Sequence, residues 1–425
     1  MEVKPGYKQT EVGVIPEDWD VEPLGTRASF KTGPFGSTLH QSDYIDGGIP
    51  VINPMHINDG RITPIVTMSV SEEAGRRLTD FRMKPGEIII GRRGDMGRCA
   101  VVDEGHAGWM CGTGSMLIRP RLDHPSFLQR ILSSTVAIKA IEDASVGSTM
   151  INLNQATLSG LNIQIPPIEE QDAIATALSD MDALLDGLDR LIVKKRAIKQ
   201  ATMQQLLTGQ TRLPGFWGEW EVKRLGDLGI FMKGSGVRKD EAQSGVLPCI
   251  RYGELYTHHH DVIRSFNSYI SKEVAQSATR IRAGDILFAC SGETKEEIGK
   301  CAVFIDDEEA YAGGDIVILR LSEADPMFMG YYCNTPNLVS QKASFGQGDA
   351  VVHISAKALA EIEVYIPEEE EQAAIATILS DMDTEITSLE TRRTKTRALK
   401  QAMMQELLTG RTRLSRFNKE NSRHV

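Results

Sequence analysis

Apolar positions recur with helical spacing in two stretches of the chain. In the first, Ile174, Leu178, Met181, Leu185, Leu188 and Ile192 follow one another at steps of 4, 3, 4, 3 and 4 residues. In the second, Ile375, Leu379, Met382, Ile386 and Leu389 keep the same register. Such a heptad seam predicts long helices that pack against one another. Pro166 and Pro367 lie upstream, and the Glu-Glu-Gln that follows each puts negative charge where the helix dipole favours it. Gly209 and Gly410 stand where a left-handed C-cap is expected. A helix from about residue 169 to 208 would span ~60 Å at 1.5 Å per residue. Elsewhere, short β-rich runs sit between glycine-rich turns: Glu87-Ile-Ile-Ile, Ala100-Val-Val, Met116-Leu-Ile-Arg, Asp285-Ile-Leu-Phe and Ile316-Val-Ile-Leu. Helical patches at 127–140 and 328–339 complete a mixed α/β reading.

The pattern is duplicated. Residues 165–213 align without a gap on 366–414, an offset of 201, with 30 of 49 positions identical. Trp19, Val21, Leu24 and Gly25 match Trp220, Val222, Leu225 and Gly226 at the same offset. Lys-Pro-Gly-Glu-Ile at 84–88 resembles Arg-Ala-Gly-Asp-Ile at 282–286, and Gly97-Arg-Cys-Ala-Val resembles Gly299-Lys-Cys-Ala-Val. Between these islands the sequences differ freely. The expected segments are 1–164, 165–213, 214–364 and 365–425: two globular units of shared fold, each followed by a nearly identical helix. Two similar bodies joined by two similar helices predict a pseudo-two-fold object, and identical helix faces suit two copies of one partner.

The opening Ile-Pro-x-x-Glu-Glu-Gln and the closing Gln-x-Leu-Leu-Thr-Gly-x-Thr-Arg-Leu, each present twice, resemble the repeated regions of type I restriction–modification specificity (S) subunits, the HsdS family. The resemblance implies an α+β fold. Two target-recognition domains would be separated by two long antiparallel coiled-coil helices. Each domain would read one half of an interrupted double-stranded DNA target, while the helices set the gap and dock two methyltransferase (M) subunits. Restriction/motor (R) subunits complete such complexes. S-adenosylmethionine, ATP and Mg then belong to the partners, and this chain needs no cofactor and no metal.

Composition narrows the alternatives. The 425 residues are 41% hydrophobic and 25% charged, a globular mix. No apolar run reaches the ~20 residues of a membrane span, and no signal peptide opens the chain, so a cytoplasmic location is expected. Cys99, Cys111, Cys249, Cys290, Cys301 and Cys333 form no CxxC pair, which suits reduced thiols. The net charge is −11. The four segments carry −3, −1, −7 and 0, so none is basic. DNA binding must then use local clusters, with partners neutralising much of the phosphate. The acidic balance also suits a coiled-coil adaptor that binds proteins and reads no DNA. A self-sufficient methyltransferase needs an Asn/Asp-Pro-Pro-aromatic tetrapeptide, but Pro166-Pro167 lies between isoleucines.

Candidate DNA contacts fall in glycine-rich loops. Lys31, Ser37 and Thr38 follow the first predicted strand, and Lys233, Ser235, Arg238 and Lys239 follow its counterpart. Arg92, Arg93 and Arg98 occupy the loop Gly-Arg-Arg-Gly-Asp-Met-Gly-Arg, matched by Thr294, Lys295 and Lys300. Guanidinium and ammonium groups there would meet phosphates or guanine edges. The competing reading is a solvated loop with ion pairs to Asp95 or Glu296, and a tight turn needing glycine at positive φ. Three consecutive histidines, His258 to His260, cannot all face one ion from an extended strand, so a polar loop is favoured over a metal site. Asp285, Glu293 and Lys295 only faintly resemble a nuclease constellation. The acidic runs 306–309 and 368–371 read as solvated faces, and Trp19 and Trp220 as core anchors.

Overall fold

A computed structural model describes residues 3–35, 38–65, 67–144, 152–348, 351–414 and 417. The chain divides into two compact units, one made of the residues up to 188 together with those from 392 on, the other of residues 189–391.

The first unit is built on an antiparallel sheet of β1 (Ala28–Thr32), β2 (Ile88–Gly91), β3 (Cys99–Val101) and β4 (Ser115–Pro120), in the order β3-β2-β4-β1. Its strands read as unbroken apolar runs because both faces are covered. Ile88, Ile90, Met116 and Ile118 point into one apolar cluster, and Ile89, Ala100 and Leu117 into another. On the first face lies α1 (Pro125–Leu132), and Phe127, Leu128 and Ile131 enter the same cluster. The long helix α2 (Ile168–Leu206) adds Ile174 and Leu178.

The second unit repeats this plan with β5 (Gly229–Lys233), β6 (Asp261–Ile263), β7 (Asp285–Ala289), β8 (Cys301–Phe304) and β9 (Ile316–Leu321), ordered β5-β9-β7-β8-β6. The register is conserved. Ile90 faces Cys99 and Met116 in the first sheet, and Phe288 faces Cys301 and Val317 in the second. Only β6, added in parallel to β8, has no counterpart in the first sheet. An ion pair is repeated too: Arg119 Nε donates to Glu87 at 2.6 Å, and Arg320 holds Asp285 through two bonds of 2.8 and 2.7 Å. Asp285 is thereby committed to structure, which removes it from the faint nuclease constellation. On this sheet lie α3 (Pro326–Tyr332) and α4 (Glu369–Leu407), the latter burying Ile375 and Leu379.

The long helices α2 and α4 have 39 residues each and pack together in opposite directions. In the first unit, Glu170 meets Arg413 and Asp182 meets Lys400. In the second, Glu371 meets Arg212 and Asp383 meets Lys199. Every member of the first set lies 201 positions from a member of the second, so the opening of each repeat is matched to the closing of the other. Gly209 and Gly410 end the helices at φ +70 and +68, the expected left-handed caps. Along the seam, Leu185, Leu188 and Ile386 are buried, while Met181, Met382 and Leu389 are half-buried. Ile174 and Leu178 share a cluster with Leu407 and Leu408, so the seam serves the core of the unit as well as the helix pair.

Candidate DNA interface

The opening motif of each repeat is held by buried hydrogen bonds. Glu170, almost wholly buried, accepts from Trp19 Nε1 at 3.0 Å and from Arg413 at 3.0 and 2.6 Å. Glu371 takes Arg212 at 2.7 and 2.6 Å, and that guanidinium lies 5.8 Å from the centre of the Trp220 ring. Gln171 donates to Pro166 O at 3.0 Å and accepts from His124 N at 3.0 Å. Gln372 does the same with Pro367 O at 2.7 Å and Asp325 N at 2.9 Å. Both tryptophans are buried, as core anchors should be. The motif glutamates therefore act chiefly through buried ion pairs across the repeats rather than through the helix dipole. An arginine repeated identically in both closing motifs was the signal for this, because a buried carboxylate needs a fixed cation.

The candidate loops converge at one end of each sheet. In the first unit Gly33 N donates to Ser115 O at 3.0 Å, Arg92 N to Gly114 O at 2.9 Å and Leu153 N to Arg92 O at 2.9 Å. In the second, Gly234 N donates to Ile316 O at 2.8 Å, Cys290 N to Asp315 O at 2.9 Å and Ile354 N to Cys290 O at 3.1 Å. Close approach explains Gly33 and Gly234, whereas Gly94, Gly97, Gly236 and Gly299 sit at positive φ, as a tight turn requires. A Cβ on Gly33 would stand 1.9 Å from Gly112 O, and one on Gly234 2.1 Å from Gly313 O.

On this common frame the side chains diverge. Arg92 is buried; its Nε donates to Leu153 O at 2.8 Å and its guanidinium lies 5.0 Å from the centre of the half-exposed Phe35 ring. Burial, and then the neighbouring charge of Arg93, push its pKa down. Arg98 pairs with Asp95 and donates to Asn58 at 3.2 Å. Lys31 faces Asp80 at 3.3 Å and the Phe81 ring at 4.8 Å. Arg93 alone of the three loop arginines is exposed without an ion pair among the described residues. Thr38 is exposed, and Ser37 lies outside the described residues. In the second unit Lys233, Arg238, Lys239 and Lys295 are exposed and form no ion pair with a described residue. Ser235 is exposed but holds Ser277 O at 2.7 Å. Thr294 is exposed and lies 3.5 Å from Glu297. Lys300 turns inward, donating to Tyr256 O and His260 Nδ1 at 3.2 Å each, and burial lowers its pKa.

The histidine run scatters. His258 is exposed beside Thr257, His259 is buried and His260 faces Lys300. Among the described residues no group of three or more His, Cys, Asp or Glu side chains could hold a metal. All six cysteines are free and buried, and burial pushes the Cys99, Cys249 and Cys290 thiols up to about 12. No helix among the described residues is long and apolar enough to cross a membrane. Each unit thus presents a hydrogen-bonded loop platform of common backbone, with its own exposed cations that form no ion pair among the described residues.

A family model described as the type I restriction modification DNA specificity domain matches residues 16–193 and again 218–398. The chain belongs to this family. Among similar proteins is a putative type I restriction enzyme MjaX specificity subunit of Methanocaldococcus jannaschii, 25% identical, with 96% of this chain and 97% of the relative covered. The EcoKI specificity subunit of Escherichia coli is 23% identical over 85% of this chain and 82% of its own. A crystal structure of the type I S subunit from M. genitalium has the same fold, with a TM-score of 0.58 at 16% identity, covering 96% of this chain and 98% of that one. The two matched regions of the specificity family each contain one complete loop platform and most of one long helix.

Proposed function

We propose that this chain is the DNA-reading subunit of a type I restriction–modification complex and carries no catalytic centre of its own. Each unit reads one half of an interrupted target in double-stranded DNA. The paired helices set the gap and dock two methyltransferase subunits, and motor subunits join for cleavage. S-adenosylmethionine, ATP and Mg act in those partners.

One observation supports this reading above the others: two loop platforms share backbone hydrogen bonds but carry different exposed groups. Common geometry would place both units on duplex DNA in the same way, and unlike side chains would read unlike base sequences. Among the described residues of the candidate loops, the exposed cations are few: Arg93 in the first platform, and Lys233, Arg238, Lys239 and Lys295 in the second. With a net charge of −11, the chain leaves much phosphate neutralisation to its partners.

Sequencing methylated adenines in a host with and without this gene tests the proposal. A two-part motif with a fixed gap should vanish on deletion. An unchanged methylation pattern would refute it.

A further inference from the structure

Each reading unit is fastened to the helix pair at a second place, beyond the buried glutamate and the apolar core. In the first unit, Asp182 on α2 accepts from Lys400 of α4 and from Arg130 of α1. Asp186, one turn further on, takes Arg61 from the hairpin that pairs Ile57 with Ile62. In the second unit, Asp383 on α4 accepts from Lys199 of α2 at 2.6 Å, from Tyr331 Oη of α3 at 2.7 Å and from Arg264 at 3.4 Å. Asp182 and Asp383 are offset by 201 residues, as are Lys199 and Lys400, and Arg130 and Tyr331. The aspartate–lysine bond joins the helices to each other, and the remaining donors come from the reader.

We infer that Asp182 and Asp383 are positioning residues that fix the angle of each reader on the helices and thereby restrict the gap length the chain accepts. The inference rests on the proposed reading of a two-part target. Apolar packing around Leu178 or Leu379 is non-directional and tolerates a small swing. A charge-assisted hydrogen bond is directional. Twelve helical residues separate Glu170 from Asp182, about 18 Å at 1.5 Å per residue, so the two attachments together oppose rotation. One extra base pair in the gap moves a half-site by about 3.4 Å and turns it by about 35° around the duplex. A reader held at one end could follow that displacement; a reader held at both ends cannot.

The test uses the chain assembled with its methyltransferase subunits, acting on a DNA library in which the gap is lengthened or shortened by one base pair. Arg130→Met removes the reader's donor to Asp182, and Tyr331→Phe removes the nearer of the two reader donors to Asp383. The aspartate–lysine bonds stay in place, as do the Arg61 and Arg264 contacts, which Arg61→Met and Arg264→Met remove in the corresponding double variants. Tyr331→Phe deletes a single hydroxyl from a buried ring, so the fold is retained. Methylation at off-gap sites, relative to the native gap, should rise at least about tenfold, with the bases of both half-sites unchanged. Asp383→Asn should act in the same direction. If the variants lose melting temperature and methylate all gaps in the same proportion as wild type, the clamp is structural only and the inference is overturned. If wild type shows no two-part target, the proposed function fails first.

Discussion

Arg92 and Arg93 are adjacent in sequence and opposite in role. Arg92 spends its guanidinium inside the protein, on Leu153 O and beneath Phe35, whereas Arg93 is open to solvent. Arg93→Ala should weaken DNA binding about equally for all sequences and reduce the salt slope by about 0.9, without changing the melting temperature. Arg92→Ala should instead cost about 1–3 kcal/mol of stability, read by denaturant unfolding. A stable Arg92→Ala protein that fails to bind DNA would reverse these assignments. A pH effect sits nearby. His56 accepts from Asn53 N at 3.1 Å, and burial pushes its pKa down. Folding therefore favours the neutral ring, while the unfolded chain takes up a proton below about pH 6.5. Stability should be complete above that value and fall as the solution is acidified. His56→Gln keeps an acceptor for Asn53 N and should flatten this acid limb in melts between about pH 6.5 and 5. An unchanged slope would exclude His56 as its source.

At the scale of elements, the long helices were the most legible part of the sequence, because the heptad seam, the glycine caps and the offset of 201 all agree. Their cross-matching left one mark only, the arginine repeated in both closing motifs as Arg212 and Arg413. Glu170 and Arg413 are 243 residues apart, and nothing local tells a buried carboxylate from a solvated one at a helix start. The strands were visible as apolar runs, but covering on both faces erased the alternation that would have revealed their orientation. The loops were the least legible. Arg92, Arg93 and Arg98 share one short stretch, and only packing against distant residues such as Leu153 and Asn58 separates them. Glu170→Ala leaves Arg413 without its buried partner and should destabilise the protein by about 3–5 kcal/mol. Combining it with Arg413→Ala should recover part of that loss, because the stranded charge goes with it. Chemical denaturation of the three variants measures both values. A loss below about 1 kcal/mol would place this pair among ordinary surface ion pairs.

For the whole molecule, duplication with divergence means that shared architecture and separate readout can be tested together. Replacing residues 1–164 by the corresponding segment of another family member should change one half of the methylated motif and leave the other half intact. Simultaneous change in both halves would contradict independent reading. Arg413, Lys400 and Leu407 lie outside the exchanged segment. A successful exchange must therefore bring groups that fit Arg413, Glu170 and Asp182, as Asp18, Trp19 and Arg130 do in the native chain.

The first unit is not contiguous: its sheet is made early and its covering half-helix comes only after residue 392. At ribosomal speeds of 5–20 residues per second, the intervening 189–391 stretch takes roughly 10–40 s to emerge. For that interval Trp19, Ile174 and Leu178 await Leu407 and Arg413. Folding of the part translated first thus depends on the part translated last, and a prematurely terminated chain carries an open apolar face that quality-control proteases can recognise.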